Sequence, residues 1–246
     1  MKWRKIGKTA CASIAILGIL SGCTGTNPHD PYETFNRHAF HLNKGLDQAV
    51  LKPLAKVYQA VTPWPLQKGV TNFYSNLGEL PTIGNSLLQG QFKHTVSSTW
   101  RFVINSTVGI FGLVDVASSM GLRKYENDFG LTLARMGYTS SNYLVLPLFG
   151  PRTVRDVIGM PPDRLIFSAY PYISDVRLRN SLYGLSFVEK RASIMTSERV
   201  MRAAAFDEYQ FQRDSYLQWR NHKIKQNAPG WSIEQELEED AWAQQD

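Results

Sequence analysis

The chain has 246 residues, 43% apolar and 12% aromatic, enough for one sizeable domain. Its formal charge of +6 is uneven: four basic residues fall in the first eight positions, and the last 16 positions hold six acids with no Lys or Arg. Both cysteines, Cys11 and Cys23, lie in the first 23 residues, which excludes a disulfide or a cysteine-based metal site from the rest of the chain.

Lys2, Arg4, Lys5 and Lys8 precede an uncharged run of 14 residues from Thr9 to Gly22, the anatomy of a secretory signal. The run is short of the ~20 residues a membrane-spanning helix needs. Leu20-Ser21-Gly22-Cys23 resembles a bacterial lipobox, which implies cleavage before Cys23 and lipid attachment to it. Residues 1–22 are therefore expected to be a lipoprotein signal peptide and 23–31 a lipidated tether. At about 0.8 kcal/mol per buried methylene, several acyl chains anchor a protein almost permanently. Thr24 stands where an Asp would imply retention in the inner membrane, so the resemblance points to the outer membrane, facing the periplasm. Without the signal, 23 basic residues face 21 acids. The body ahead of Trp231 is then mildly basic, which suits anionic lipid head groups. The implied compartment argues against nucleic acid.

The folded part is expected to begin with a helix near Tyr32. Phe35, Ala39, Leu42, Leu46 and Ala49 form one apolar stripe. Asp30 is placed to cap it, Glu33 and Arg37 are an i, i+4 pair, and Pro53 should end or kink it. Thr62-Pro63-Trp64-Pro65 is a break, followed by a helix from about Pro65 to Leu77. Three uncharged runs follow, Leu80–Phe92, Phe102–Val114 and Gly137–Pro151, of 13, 13 and 15 residues. Each is too short to span a bilayer and contains polar residues such as Asn85, Gln89 and Asn142. They read as short helices joined by glycine turns, with Tyr143–Leu148 an extended loop lacking an obvious strand partner. Leu178, Leu182, Leu185, Val188, Ala192 and Met195 mark a further helix. A last one carries Val200, Ala204, Phe211 and Leu217, with Thr196 or Ser197 as N-cap between the two. Asn227-Ala228-Pro229-Gly230 stops it. The helical domain spans 32–228 and the acidic tail 229–246.

Catalytic signatures are missing. Gly184-Leu185-Ser186-Phe187-Val188 lacks the last glycine of a nucleophile elbow, and no P-loop or dinucleotide-binding glycine pattern occurs. Of the five histidines only His38 and His41 share a helix face, with no third ligand nearby. Asp128, Asp156 and Asp163 fall among turns, where Asp commonly caps. Neither an enzyme nor a cofactor or metal is expected. The aromatic residues, Trp64 and Tyr172 among them, fit core packing and a head-group belt equally well.

Asp30-Pro31-Tyr32-Glu33-Thr34-Phe35-Asn36-Arg37 opens a series of matches to the MlaA (VacJ) lipoprotein family. Asn72-Phe73, Asn76-Leu77 with Glu79, and Asn85 with Leu87-Leu88-Gln89-Gly90 follow in order. Thr99-Trp100-Arg101-Phe102, Asn105-Ser106-Thr107-Val108-Gly109 and Asp115-Val116-Ala117 come next. Asp128-Phe129-Gly130, Leu146-Pro147, Gly150-Pro151 and Arg155-Asp156 complete the series. The resemblance covers roughly Asp30 to Asp163. It departs at Thr139-Ser140-Ser141-Asn142, where the family usually has glycine before the Tyr. It implies an all-α, ring-like bundle of short and long helices embedded in one leaflet of the outer membrane around an amphipathic central channel. It further implies a trimeric outer-membrane porin as partner. Phospholipids mislocalised in the outer leaflet would pass to a periplasmic, MlaC-like lipid carrier, which maintains lipid asymmetry. The alternatives are a structural adaptor on a porin that moves no lipid, and a lipid-modifying enzyme.

Polar groups inside an apolar run need partners, water or head groups, at about 1–3 kcal/mol each if unpaired. Asn105, Ser106 and Thr107 are therefore candidate channel-lining residues. Gly109, Gly112, Gly121 and Gly137 are candidate hinge or close-packing positions, with Gly121–Gly137 part of a pore-side hairpin.

Overall fold

Asp30 starts the fold from inside it. The computed structural model describes residues 30–204 and 206–230; the signal, Cys23 with most of the tether, and the tail from Trp231 lie outside the described residues. Asp30 is fully buried, and its carboxylate accepts bonds from Asn36 Nδ2 at 2.8 Å and from the Tyr209 hydroxyl. It does not cap the first helix, α1 (Glu33–Leu46), whose cap position is Tyr32 with no side-chain bond. The carboxylate is drawn inward because Tyr209 and Asn36 offer it donors where water cannot reach. The Glu33–Arg37 pair forms as expected, at 2.8 Å.

Pro53 neither ends nor kinks this helix alone. Asp47–Leu51 winds as a π-helix, and Pro53 falls in the first turn of α2 (Lys52–Val61). Lys52 N–H reaches back five residues to Asp47 O. The wider turn lets the helix resume with the proline where an α-helix tolerates one. The break at Thr62-Pro63 is extended, and α3 (Trp64–Leu77) has Pro65 in its first turn. Next come α4 (Glu79–Leu88) and α5 (Phe92–Thr107), turned by Gly90 at φ +69°. A short loop leads to α6 (Val116–Ser119), capped by Asp115, and α7 (Phe129–Arg135) is capped by Asp128.

Tyr143–Leu148 does find a partner, against the sequence expectation of a loop. Tyr143–Leu146 (β1) pairs antiparallel with Gly150–Thr153 (β2), Tyr143 opposite Thr153 and Leu146 opposite Gly150. The other edge of β1 is met by side chains. Asn36 donates to Tyr143 O at 3.2 Å and accepts from Val145 N at 2.7 Å. Two turns along α1, Asn43 donates to Leu146 O at 2.9 Å and accepts from Leu148 N at 2.7 Å. Two asparagine amides thus act as a surrogate strand and leave no raw edge.

Thr153 and Asp156 form a capping box for α8 (Val154–Leu165). After a 3₁₀ turn at Tyr170–Tyr172 the long α9 (Val176–Ala204) passes straight through Thr196 and Ser197, so neither is an N-cap. Glu198 there is held by Arg191 at 2.6 Å and Lys52 at 3.4 Å, contacts the helical path preserves. The last helix, α10 (Glu208–Gln226), is capped by Asp207 and stops at Asn227 as expected. Pairwise packing closes on itself: α1 on β1, β2 on α10, α10 on α7, α7 on α4, α4 on α3, α3 on α9, α9 on α2, and α2 back to α1 through the π-turn. The elements form a ring, predominantly helical with one small hairpin.

Candidate lipid path and its polar wall

The ring turns the usual burial rule inside out. Among the described residues twenty polar or charged residues are buried against ten apolar or tyrosine residues, and of those ten five are alanines. Thirty-three large hydrophobic residues are exposed. Leu42, Leu46, Val50, Leu54, Val57 and Val61 make one bare stripe along α1 and α2. Phe92, Val96, Trp100 and Val103 make another on α5, and Trp64 and Tyr172 are each 72% exposed. Contiguous apolar surface on this scale marks contact with something other than water. No helix among the described residues is long and apolar enough to cross a membrane.

The interior is built from ionic groups fixed by other side chains. Arg220 on α10 reaches Asp156 Oδ1 at 2.6 Å and both Asp128 oxygens at 2.6 Å, and Tyr216 donates to Asp156 Oδ2 at 2.7 Å. Asp163 accepts from Phe129 N at 3.0 Å and Asn85 Nδ2 at 2.7 Å, while Asn85 accepts from Thr132. Burial, reinforced by the charge of Asp128, pushes the Asp163 carboxyl up to about 6 against those hydrogen bonds. Two cavities, of about 300 and about 190 Å³, meet at this cluster and share Asp128, Trp219 and Arg220. Their walls come from β2, α10, α7, α4 and α3, successive members of the ring, and from α8, which packs on α7. On α9, burial first and then the charge of Arg152 lower the Lys190 ammonium.

A second knot fixes the loop after α5. Arg101, 1% exposed, bonds Glu79 at 2.9 Å, Ser118 Oγ at 3.0 Å, Leu122 O at 2.7 Å and Asp115 at 3.1 Å. Burial alone would raise the Asp115 carboxyl. The hydroxyl and N–H of Ser118, the Asn105 amide and Arg101 overcome it and hold the group at about 2.

The three candidate lining residues do not share a face. Asn105 is buried, with its amide donating to Asp115 at 3.0 Å and its oxygen accepting from Ala117 N at 2.9 Å. Ser106 accepts from Asn76 at 2.9 Å, and Thr107 is exposed with its hydroxyl on Val103 O. Consecutive helical positions diverge by about 100°, which scatters them. Gly109 is a close-packing position: an added Cβ would come within 2.5 Å of Asn105 O. Gly112 packs against Asn76 and also sits at φ +89°. Gly121 and Gly137 have open space around them and serve their turns through positive φ, +79° and +109°. Between Gly109 and Gly112, Ile110 and Phe111 also take positive φ, 52° and 55°, and are 59% and 78% exposed. Such backbone costs a bulky residue on the order of 1 kcal/mol, and here it buys outward projection of two apolar side chains. Cys23 lies outside the described residues.

The sequence treats Asp128, Asp156 and Asp163 as separate turn residues, whereas the structure brings Asp128 and Asp156 together on Arg220 and sets Asp163 in the same cavity wall. Arg220 itself could have been noticed. Its helical neighbours are Tyr216, Leu217, Lys223 and Ile224, with no acid among them, so a buried partner had to come from elsewhere.

The model of the family described as MlaA lipoprotein matches residues 28–223 of the chain. The chain belongs to the MlaA lipoprotein family. A Shigella flexneri protein named intermembrane phospholipid transport system lipoprotein MlaA is 31% identical over 211 residues, 81% of this chain and 82% of that one. A Haemophilus influenzae protein of the same name is 30% identical over 229 residues, 88% and 90% of the two chains. An uncharacterized Rickettsia typhi protein is 44% identical over 129 residues; that match spans 52% of this chain and 51% of the relative's length. A solved structure described as the structural basis for maintenance of bacterial outer membrane lipid asymmetry superposes with a TM-score of 0.69 at 31% identity. It covers 79% of this chain and 98% of its own. Residues 28–223, matched by the family model, include the asparagine-braced hairpin, the Arg101 knot and the Arg220 cluster.

Proposed function

We propose that this chain is a lipoprotein of the outer membrane, anchored through Cys23, that takes phospholipids mislocalised in the outer leaflet and passes them inward to a periplasmic carrier. Lipid asymmetry is maintained by this route. The observation that carries the reading is the pairing of an apolar exterior with cavities lined by charged groups within the ring. Head groups cannot cross hydrocarbon unsolvated without a cost of several kcal/mol, and a polar interior lowers that barrier. Acyl chains can stay against the bare stripes of α2 and α5. No bond is made or broken, so the protein works as a conduit and not as an enzyme. A trimeric porin is the membrane partner the family resemblance suggests, and the apolar stripes give it a surface to rest on.

The test is transfer of labelled phospholipid from vesicles bearing the lipidated protein to a purified MlaC-like carrier, with free fatty acid measured in parallel. Carrier-dependent transfer with no fatty acid is expected, together with loss from the outer-membrane fraction in Cys23→Ser. Porin binding without transfer would establish the adaptor reading instead, and released fatty acid the enzymatic one.

A further inference from the structure

The smaller cavity, about 190 Å³, is lined by three arginines and three aspartates: Arg152, Arg164 and Arg220 with Asp128, Asp156 and Asp163. Their pairing is unequal. Arg220 takes both Asp128 and Asp156. Asp163 is engaged by Phe129 N and Asn85. Arg152 and Arg164 have no carboxylate partner among the described residues, and the Arg152 Nε is buried with no hydrogen-bond partner at all. Arg164 is fixed by ring faces, its guanidinium 4.4 Å over Phe149 and 5.8 Å from Tyr183, contacts that leave its N–H edge free. The two come from different elements, β2 and α8.

We infer that Arg152 and Arg164 form a phosphate-binding subsite inside the ring, and that its ligand is the phosphate of a phospholipid head group. A buried donor without a partner costs free energy unless a ligand supplies the acceptor. Two guanidinium forks on adjacent walls match the oxygens of a phosphodiester, and an arginine held by stacking loses little freedom on binding. The acidic oxygens that would repel the anion are occupied by Arg220, Phe129 N and Asn85. The inference rests on the transport reading above and assigns that path a place where the head group pauses.

The test loads the full-length lipidated protein from mixed detergent micelles of phosphatidylglycerol and diacylglycerol with matched acyl chains, and counts bound lipid by mass spectrometry. The wild type should enrich phosphatidylglycerol by roughly tenfold over its micellar share, a preference of about 1.4 kcal/mol. The Arg152→Gln, Arg164→Gln double variant should lose that preference, and the Arg152→Lys, Arg164→Lys variant should keep most of it. Melting temperature reports whether each is folded. Equal loading of both lipids by the wild type would overturn the subsite while leaving transport standing. Loading of neither would overturn the transport reading and the inference with it. Retained enrichment in a folded double Gln variant would place the phosphate elsewhere. Competition by excess inorganic phosphate as effective as that by phosphatidylglycerol would make the ligand the free anion and overturn the lipid assignment.

Discussion

Gly159 on α8 lies against Gly130 on α7 so closely that a Cβ on Gly159 would stand 2.6 Å from the Gly130 backbone nitrogen. A Cβ on Gly130 would in turn stand 2.5 Å from an Arg220 Nη and collide with Asp156. The crossing of α7 and α8 thus depends on two missing side chains, and so does the geometry of the ionic cluster above it. Gly159→Ala and Gly130→Ala should each cost roughly 1–3 kcal/mol through overpacking. Gly184, on α9 with nothing within 4 Å, should behave oppositely, and Gly184→Ala should gain about 0.5–1 kcal/mol. Thermal unfolding in detergent reads all three. A neutral Gly130→Ala would mean that the cluster can shift to make room.

Arg101 and Glu79 are each 1% exposed and face one another at 2.9 Å. Removing only the cation leaves a buried carboxylate uncompensated. Arg101→Met should therefore cost about 3–5 kcal/mol, and the double change Glu79→Leu, Arg101→Met should recover part of the loss. Denaturant unfolding of the two single variants and the double gives the coupling. Strict additivity of the two losses would show that the pair is not a unit.

Single cysteines separate the interior from the outside of α5. With Ser substituted at Cys11, and Cys23 lipidated as proposed above, no other thiol competes. In the purified protein a small thiol reagent should label position 107 readily and leave 105 untouched, because Thr107 is exposed and Asn105 is 3% exposed among its own partners. Asn105→Cys should also lower stability, since Asp115 and Ala117 lose their partner. Equal labelling of both positions would show that the loop after α5 opens.

Asp163 gives the fold a pH dependence of definite sign. Its folded value of about 6 stands above the unfolded 3.8, so the folded protein holds the extra proton between them. Stability contributed by this group is complete below about pH 4 and falls as pH rises toward 6, by on the order of 3 kcal/mol. Asp163→Asn lacks this proton exchange. The stability of the wild type relative to this variant should decline across that window and level off above it. A difference that grows with pH would put the carboxylate in a stabilising role.

What could be read from the sequence was local. The helix marked by Phe35, Ala39 and Leu42, the Pro63 break and the stop at Asn227 follow from short-range periodicity and breaker residues, and all three appear, although Ala39 turns to the core and Leu42 to the outside. β1 was hidden because its neighbours are Gly-Pro-Arg-Thr on one side and two asparagine side chains on the other, the latter more than a hundred residues earlier in the chain. The end of α9 was misplaced because Thr196 and Ser197 carry a strong local cap signal that Arg191 and Lys52 outweigh through Glu198. The polar wall was the least legible part. Asp128, Asp156 and Asp163 each have ordinary local uses, and only the closure of the ring shows that Arg220 draws the first two of them to one point.

For most proteins folding is also a way of becoming soluble, since the collapsed chain hides what the extended one displays. The bare stripes along α1, α2 and α5 reverse that benefit. The finished ring exposes its stickiest residues, so reaching the native state in water does not end the danger of aggregation. Passage from the site of synthesis to a membrane is then the hazardous interval for such a surface. Yield should accordingly follow the supply of bilayer or chaperone more closely than it follows thermodynamic stability.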